Sequence, residues 1–138
     1  MNIGLDIHGV IDAQPKFFAK LTKLLAEEGH QIHIVTGQKW DNVKNELDAH
    51  GITYHHHYSI VDHHLNVGTK MWSDDKRGDG WWMSKEDWIR SKGDYARNAS
   101  LDIHIDDETS YAPYFPDSCR FVLFLDDMDA ISKIFPKR

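Results

Sequence analysis

The sequence predicts an α/β fold, a doubly wound, Rossmann-like three-layer sandwich built on a parallel sheet. Three apolar segments each run into polar residues, at Leu5 to Asp12, Ile32 to Gly37 and Leu101 to Asp107. Strands of this kind, apolar throughout rather than alternating, belong to sheets covered on both faces. Amphipathic helical stretches separate them, and a strand–helix–strand alternation implies parallel strands joined by right-handed crossovers.

The elements follow in order. Asn2 to Ile7 reads as the first strand, and Gly9 permits a tight turn after it. Pro15 stands at a first helical position, and Phe17, Phe18, Leu21, Leu24 and Leu25 form one stripe, with Lys16, Lys20 and Lys23 off it. Gly29 ends this helix. Gln31 to Val35 is the second strand, and the helix carrying Trp40, Val43 and Leu47 stops at Gly51. Ile52 to His57 is the expected third strand. Residues 58–90 then break the alternation and read as an insertion placed to act as a lid. It holds Trp72, Trp81, Trp82 and Trp88, four of the five tryptophans, with Asp74 to Gly80 as the turn between two hairpin strands. Ser84 followed by Glu86 and Asp87 resembles a helix start, Asp87 being an imperfect capping-box partner. After Lys92-Gly93 a short helix is expected to lead to a fourth strand, Leu101 to Ile105. Arg120 to Leu125 is the last strand, and Met128, Ile131 and Ile134 mark a closing helix from about Asp126.

With 138 residues, the chain supports one core, read as a single domain over 1–138 with residues 58–90 inserted within it. The 41% hydrophobic and 28% charged content is that of a soluble globular protein, and no apolar run approaches the ~20 residues of a membrane span. Cys119 is the only cysteine, which excludes intrachain disulfides and makes a buried thiol in a reducing cytoplasm the expectation; no secretory signal is visible. Sixteen basic against 22 acidic residues give a formal charge of −6. That balance disfavours broad binding of duplex nucleic acid and leaves room for a small anionic substrate at a local cationic site.

Ligands gather at the carboxyl ends of parallel strands, and here those ends carry Asp6, Thr36 and the Asp106/Asp107 pair. Carboxylates converging at one edge repel one another unless a cation lies between them, and hard cations such as Mg²⁺ prefer oxygen ligands. The set suits metal-assisted phosphoryl chemistry. In order and spacing, Asp-x-x-Gly-Val after the first strand, Thr36 ending the second, a later Lys, and Asp106-Asp107 ending another resemble the four motifs of the haloacid dehalogenase (HAD) superfamily. The resemblance covers most of the chain outside residues 58–90.

It implies the strand order 5-4-1-2-3 and a phosphatase in which Asp6 attacks phosphorus and forms an aspartyl-phosphate. The metal would be Mg²⁺, held by Asp6, the main-chain carbonyl of His8, and the Asp106/Asp107 pair, with Asp107 the direct ligand and Asp106 its neighbour, or the reverse. Thr36 would donate its hydroxyl to a phosphate oxygen beside the Gly37 backbone N–H. Lys92, by its spacing of fourteen residues before Asp106, would neutralise phosphoryl charge, with Lys85 as the other candidate. The chain departs from the pattern at His8, where most phosphatases of the superfamily carry an Asp that protonates the leaving group. An imidazole is able to do both acid and base steps, Asp12 is a second candidate acid, and loss of the role would leave a weakened enzyme.

His55-His56-His57 and Asp62-His63-His64 bring zinc to mind, but strand alternation sends His56 away from His55 and His57, and nothing completes a tetrahedral set. Some of these histidines are instead candidates for lining a pocket. The insertion tryptophans have two readings: a small core, or, at Trp81 and Trp82, a surface on which a nucleobase stacks beside the substrate-binding Gly9 and Gly37. The expected function is Mg²⁺-dependent hydrolysis of a phosphate monoester on a small molecule, with a nucleotide the leading candidate. The alternatives are a phosphatase for nucleic-acid ends and a weakened HAD-like domain that binds a phosphorylated ligand or a protein partner.

Overall fold

β1 (Asn2–Leu5) and β2 (Gln31–Thr36) are buried along nearly their whole length, as apolar strands at the centre of a two-sided sheet must be. In the computed structural model of the chain, which describes residues 1–74 and 80–125, they form the middle of a five-stranded parallel sheet. β3 (His56–Ser59) flanks β2 at one edge, while β6 (Ile103–Asp106) flanks β1 and β7 (Arg120–Leu123) forms the other edge. Two further strands, β4 (Trp72–Asp74) and β5 (Gly80–Trp82), pair only with each other, antiparallel. The sheet order is therefore β3-β2-β1-β6-β7, not the expected 5-4-1-2-3, because the hairpin takes up two places in the chain without joining the sheet. β1 stays central.

Alternation along β2 divides the core. Ile32 and Ile34 face α1 (Pro15–Glu27) and α2 (Trp40–His50), joining Phe18, Val43 and Leu47 in the larger cluster. Full burial of each such side chain contributes about 1.5–3 kcal/mol. Val35, on the opposite face, packs with Ala96, Leu101 and Cys119 under α4 (Lys85–Asn98). Cys119 is thus a buried thiol, its pKa pushed up to about 11 by burial.

Several expected boundaries move. Strand pairing at the β3 edge begins beyond Ile52, which is buried in the larger core, and His33 sits opposite His56. Tyr58 and Ser59 complete that strand instead of opening the insertion. A helix not expected from the sequence, α3 (Ile60–Val67), follows at once, capped by Ser59, whose hydroxyl accepts the Asp62 N–H. The short helix expected after Lys92-Gly93 is the second half of α4, which runs unbroken from Lys85. Gly93 is not a break. It lies where a Cβ would strike the Tyr114 carbonyl, so it allows the 3-10 turn Thr109–Tyr114 to pack against the helix. Ser84 caps α4 as expected, accepting the Asp87 N–H at 3.2 Å. The expected hairpin turn at 75–79 and the closing helix from Asp126 lie outside the described residues.

Candidate active site

Parallel register sets the site. Leu5 lies opposite both Ile34 and Ile105, so Asp6 leaves β1 level with Asp106 on β6, and Thr36 ends β2 at the same edge. The carboxylates of Asp6, Asp106 and Asp107 each offer an oxygen within 4.8 Å of the others. Lys92 enters from the middle of α4, only 2% exposed, with Nζ 2.7 Å from Asp106 Oδ2 and 3.2 Å from Asp6 Oδ1. Tyr111 lies under the ammonium, 4.6 Å from Nζ to its ring centre.

The two buried carboxylates differ in their partners. Asp106 is saturated: Oδ2 accepts from Lys92 and from His104 Nε2 at 2.9 Å, and Oδ1 accepts the Glu108 N–H at 3.1 Å. Burial works to raise its pKa, but the His104 hydrogen bond and the Lys92 charge outweigh it and hold the carboxyl below the usual range. For Asp6 burial wins; with the Asp106 and Asp107 charges added, it exceeds the pull of Lys92 and raises the pKa to about 7. Asp107 is also raised, by burial and then by Asp106. Lys92 remains cationic, since Asp6 and Asp106 outweigh the effect of its burial. The cluster therefore holds more carboxylate than its lysine neutralises. Three hard oxygen donors with surplus negative charge fit a divalent cation, with Asp6 and Asp107 the groups whose oxygens are least committed.

Gly9 makes the loop possible. Its φ is +86°, a left-handed conformation, and a Cβ there would overlap the Asp107 carboxylate. Its N–H donates to Asp12 Oδ1 at 2.8 Å, so Asp12 holds the turn. Thr36 is fully buried, and its hydroxyl accepts the Gln38 N–H at 3.2 Å. No family model matches the chain, and no curated protein is detectably similar to it.

Not every sequence candidate joins this cluster. The His8 side chain is 49% exposed and turns to α2, with Nε2 3.6 Å from Glu46 Oε2, away from the three aspartates. Lys85 opens α4 and makes no contact with the carboxylates; it lines a neighbouring pocket of about 510 Å³ with Gly37, Lys39, Trp81, Trp82 and Trp88. The histidines of the zinc motif disperse. His55 Nδ1 accepts the Ile32 N–H, His56 stacks on His33, and His57 stacks on Trp40 at 3.9 Å. His64 bridges Thr69 and Ser91. Among the described residues none of them belongs to a metal-ligating group.

Two residues of the site, His104 and Tyr111, are not among the candidates the sequence offers. His104 is two positions before Asp106, so strand alternation already put both side chains on one face. Tyr111 carried no such signal, because the 3-10 turn that delivers it is recognisable only once packed.

Proposed function

We propose that the chain is a Mg²⁺-dependent phosphomonoesterase of HAD type, acting on a small phosphorylated molecule through an aspartyl-phosphate on Asp6. The observation that carries this reading is the buried Asp6–Lys92–Asp106 contact at the carboxyl edge of a parallel sheet, with Asp107 beside it. The first strand at the centre, flanked by the strand that bears the aspartate pair, supports the same reading. A cytoplasmic setting fits the single buried thiol.

Each residue then has a task. Asp6 supplies the attacking oxygen, and Lys92 holds that oxygen in place and offsets the charge of the incoming phosphoryl group. Asp106, held by three donors, fixes Lys92. Thr36 and the Gly37 backbone line the side of the site opposite β6. A cation held by Asp6, Asp107 and the His8 carbonyl would screen the phosphoryl oxygens from these carboxylates.

Asp6→Asn is expected to lower turnover of phosphate monoesters in Mg²⁺ by several orders of magnitude in a folded protein. A screen of phosphorylated metabolites run on both forms checks this, and an active Asp6→Asn protein would sink the mechanism.

A second reading rests on His8. Its imidazole lies against Glu46, not over the aspartates, so His8 is not placed to protonate a leaving oxygen there. On that reading the domain is a weakened enzyme that binds a phosphorylated ligand or partner. It predicts ligand affinity without Asp6-dependent turnover.

A further inference from the structure

The 510 Å³ pocket beside Gly37 shares a wall with the candidate active site without containing any of its carboxylates. Trp88 forms that wall. Its ring lies so close to Gly37 that a Cβ there would stand 2.7 Å from it, and its indole N–H donates to the Tyr111 hydroxyl at 3.0 Å. Tyr111 in turn supports Lys92. β5 also lines the pocket, through Gly80, Trp81 and Trp82. Trp72 pairs with Trp82 across the hairpin and both are about half exposed, but Trp82, unlike Trp72, also lines the pocket. Trp81, less exposed than Trp82, lines the pocket together with the buried Met83.

Three indoles lining one pocket, Trp81, Trp82 and Trp88, suit a planar aromatic group, because base-on-indole stacking is sequence-tolerant and strong. Lys39 and Lys85 also line the pocket, and among the described residues its lining carries no carboxylate, in a chain of net charge −6. Lys39 and Lys85 suit a ligand that carries anionic charge beside its planar group. We infer that this pocket takes the nucleobase of the substrate, so that the phosphomonoester turned over at Asp6 is a nucleotide. The assignment of the bound molecule as substrate rests on the phosphomonoesterase reading; binding of the base does not.

The test therefore begins with nucleosides, which carry no phosphate. Adenosine and cytidine are titrated into the full chain while the indole N–H resonances are followed by NMR, with ribose 5-phosphate as the baseless control. Saturable shifts at Trp81 and Trp88 are expected, with Trp40, which stacks on His57 away from the pocket, unmoved. Trp81→Ala should weaken nucleoside binding about tenfold or more, the scale of one lost stacking face. Should that variant not fold, Trp81→Leu removes the aromatic face while keeping apolar bulk, and the same loss is expected. No saturable shift, or equal shifts at Trp40 and the exposed Trp72, would overturn the inference. In Mg²⁺, Trp81→Ala should cut kcat/KM about tenfold for a nucleoside monophosphate and leave ribose 5-phosphate unchanged; equal losses on both also overturn it. Nucleoside binding with no turnover of any monophosphate supports the pocket and counts against the hydrolase alone.

Discussion

Asp6 and Asp106 stand level on neighbouring strands and share one lysine, yet their protons are held in opposite ways. Three donors on Asp106 stabilise its charge, whereas burial beside two other carboxylates lifts Asp6 to about 7. The linkage has a definite sign. The folded state holds a proton on Asp6 that the unfolded chain, with the ordinary carboxylate value of 3.8, releases, so without a cation stability falls as pH rises from about 3.8 to 7. Asn cannot ionise. Asp6→Asn should therefore be more stable than wild type at pH 8 in chelator, by at least about 1 kcal/mol, with the advantage shrinking toward pH 4. Denaturant unfolding at both pH values measures it, and an Asp6→Asn protein less stable at pH 8 would show that Lys92 dominates instead. Both aspartates were legible as candidates in the sequence. Their division of labour was not, because it depends on His104 and on the Glu108 N–H reaching one of them.

At the scale of the element, α4 serves both sites: Lys85 and Trp88 at its start line the pocket, and Lys92 in its middle reaches the aspartates. Ser84 was readable as its cap, and Ser84→Ala should cost about 1 kcal/mol in denaturant unfolding. The fraying should disturb Trp88 and the pocket more than Lys92, about one turn further in, so nucleoside binding is expected to suffer before turnover does. The mid-helix place of Lys92 was missed because Lys92-Gly93 looks like a helix boundary. Glycine there serves the close approach of the Tyr114 carbonyl, a tertiary demand with no local signature. β2 is tied to α4 by His33, whose Nδ1 lies 2.7 Å from the Tyr95 hydroxyl and whose pKa burial, with help from His56, lowers to about 4. An unfolded His titrates near 6.5. Stability should thus fall as pH drops from about 6.5 to 4, by up to about 1.4 kcal/mol per pH unit from this one group. His57, His64 and His104 act in the same direction. His33→Gln should flatten the acid side of the stability profile; an unchanged slope would show that His33 accepts its proton while folded.

Across the whole molecule, three carboxylates around one lysine make the fold a reservoir of repulsion that a divalent cation would relieve. Mg²⁺ should therefore raise the thermal midpoint, by the equivalent of about 2.7 kcal/mol at a hundredfold excess over the dissociation constant. Asp107→Ala should remove most of that rise, and Asp117→Ala, at an exposed position past Pro116, should keep it. A midpoint indifferent to Mg²⁺ in wild type would leave the cluster without a cation role.

What the sequence determined by itself is whatever periodicity and local chemistry encode. Buried strands at Asn2, Gln31 and Ile103 came from continuous apolar runs, α1 and α2 from their stripes and the α4 cap from Ser84; polar strand ends at Asp6, Thr36 and Asp106 named the edge where chemistry was to be sought. The tertiary structure alone decided which charges meet. Lys92 rather than Lys85 reaches the aspartates, His8 turns to Glu46, the histidines scatter to separate partners, and Trp81 and Trp88 line one pocket. Each of these depends on contacts between residues far apart in the chain, set by strand register and by how closely a helix approaches, and neither quantity is written in any local stretch of residues.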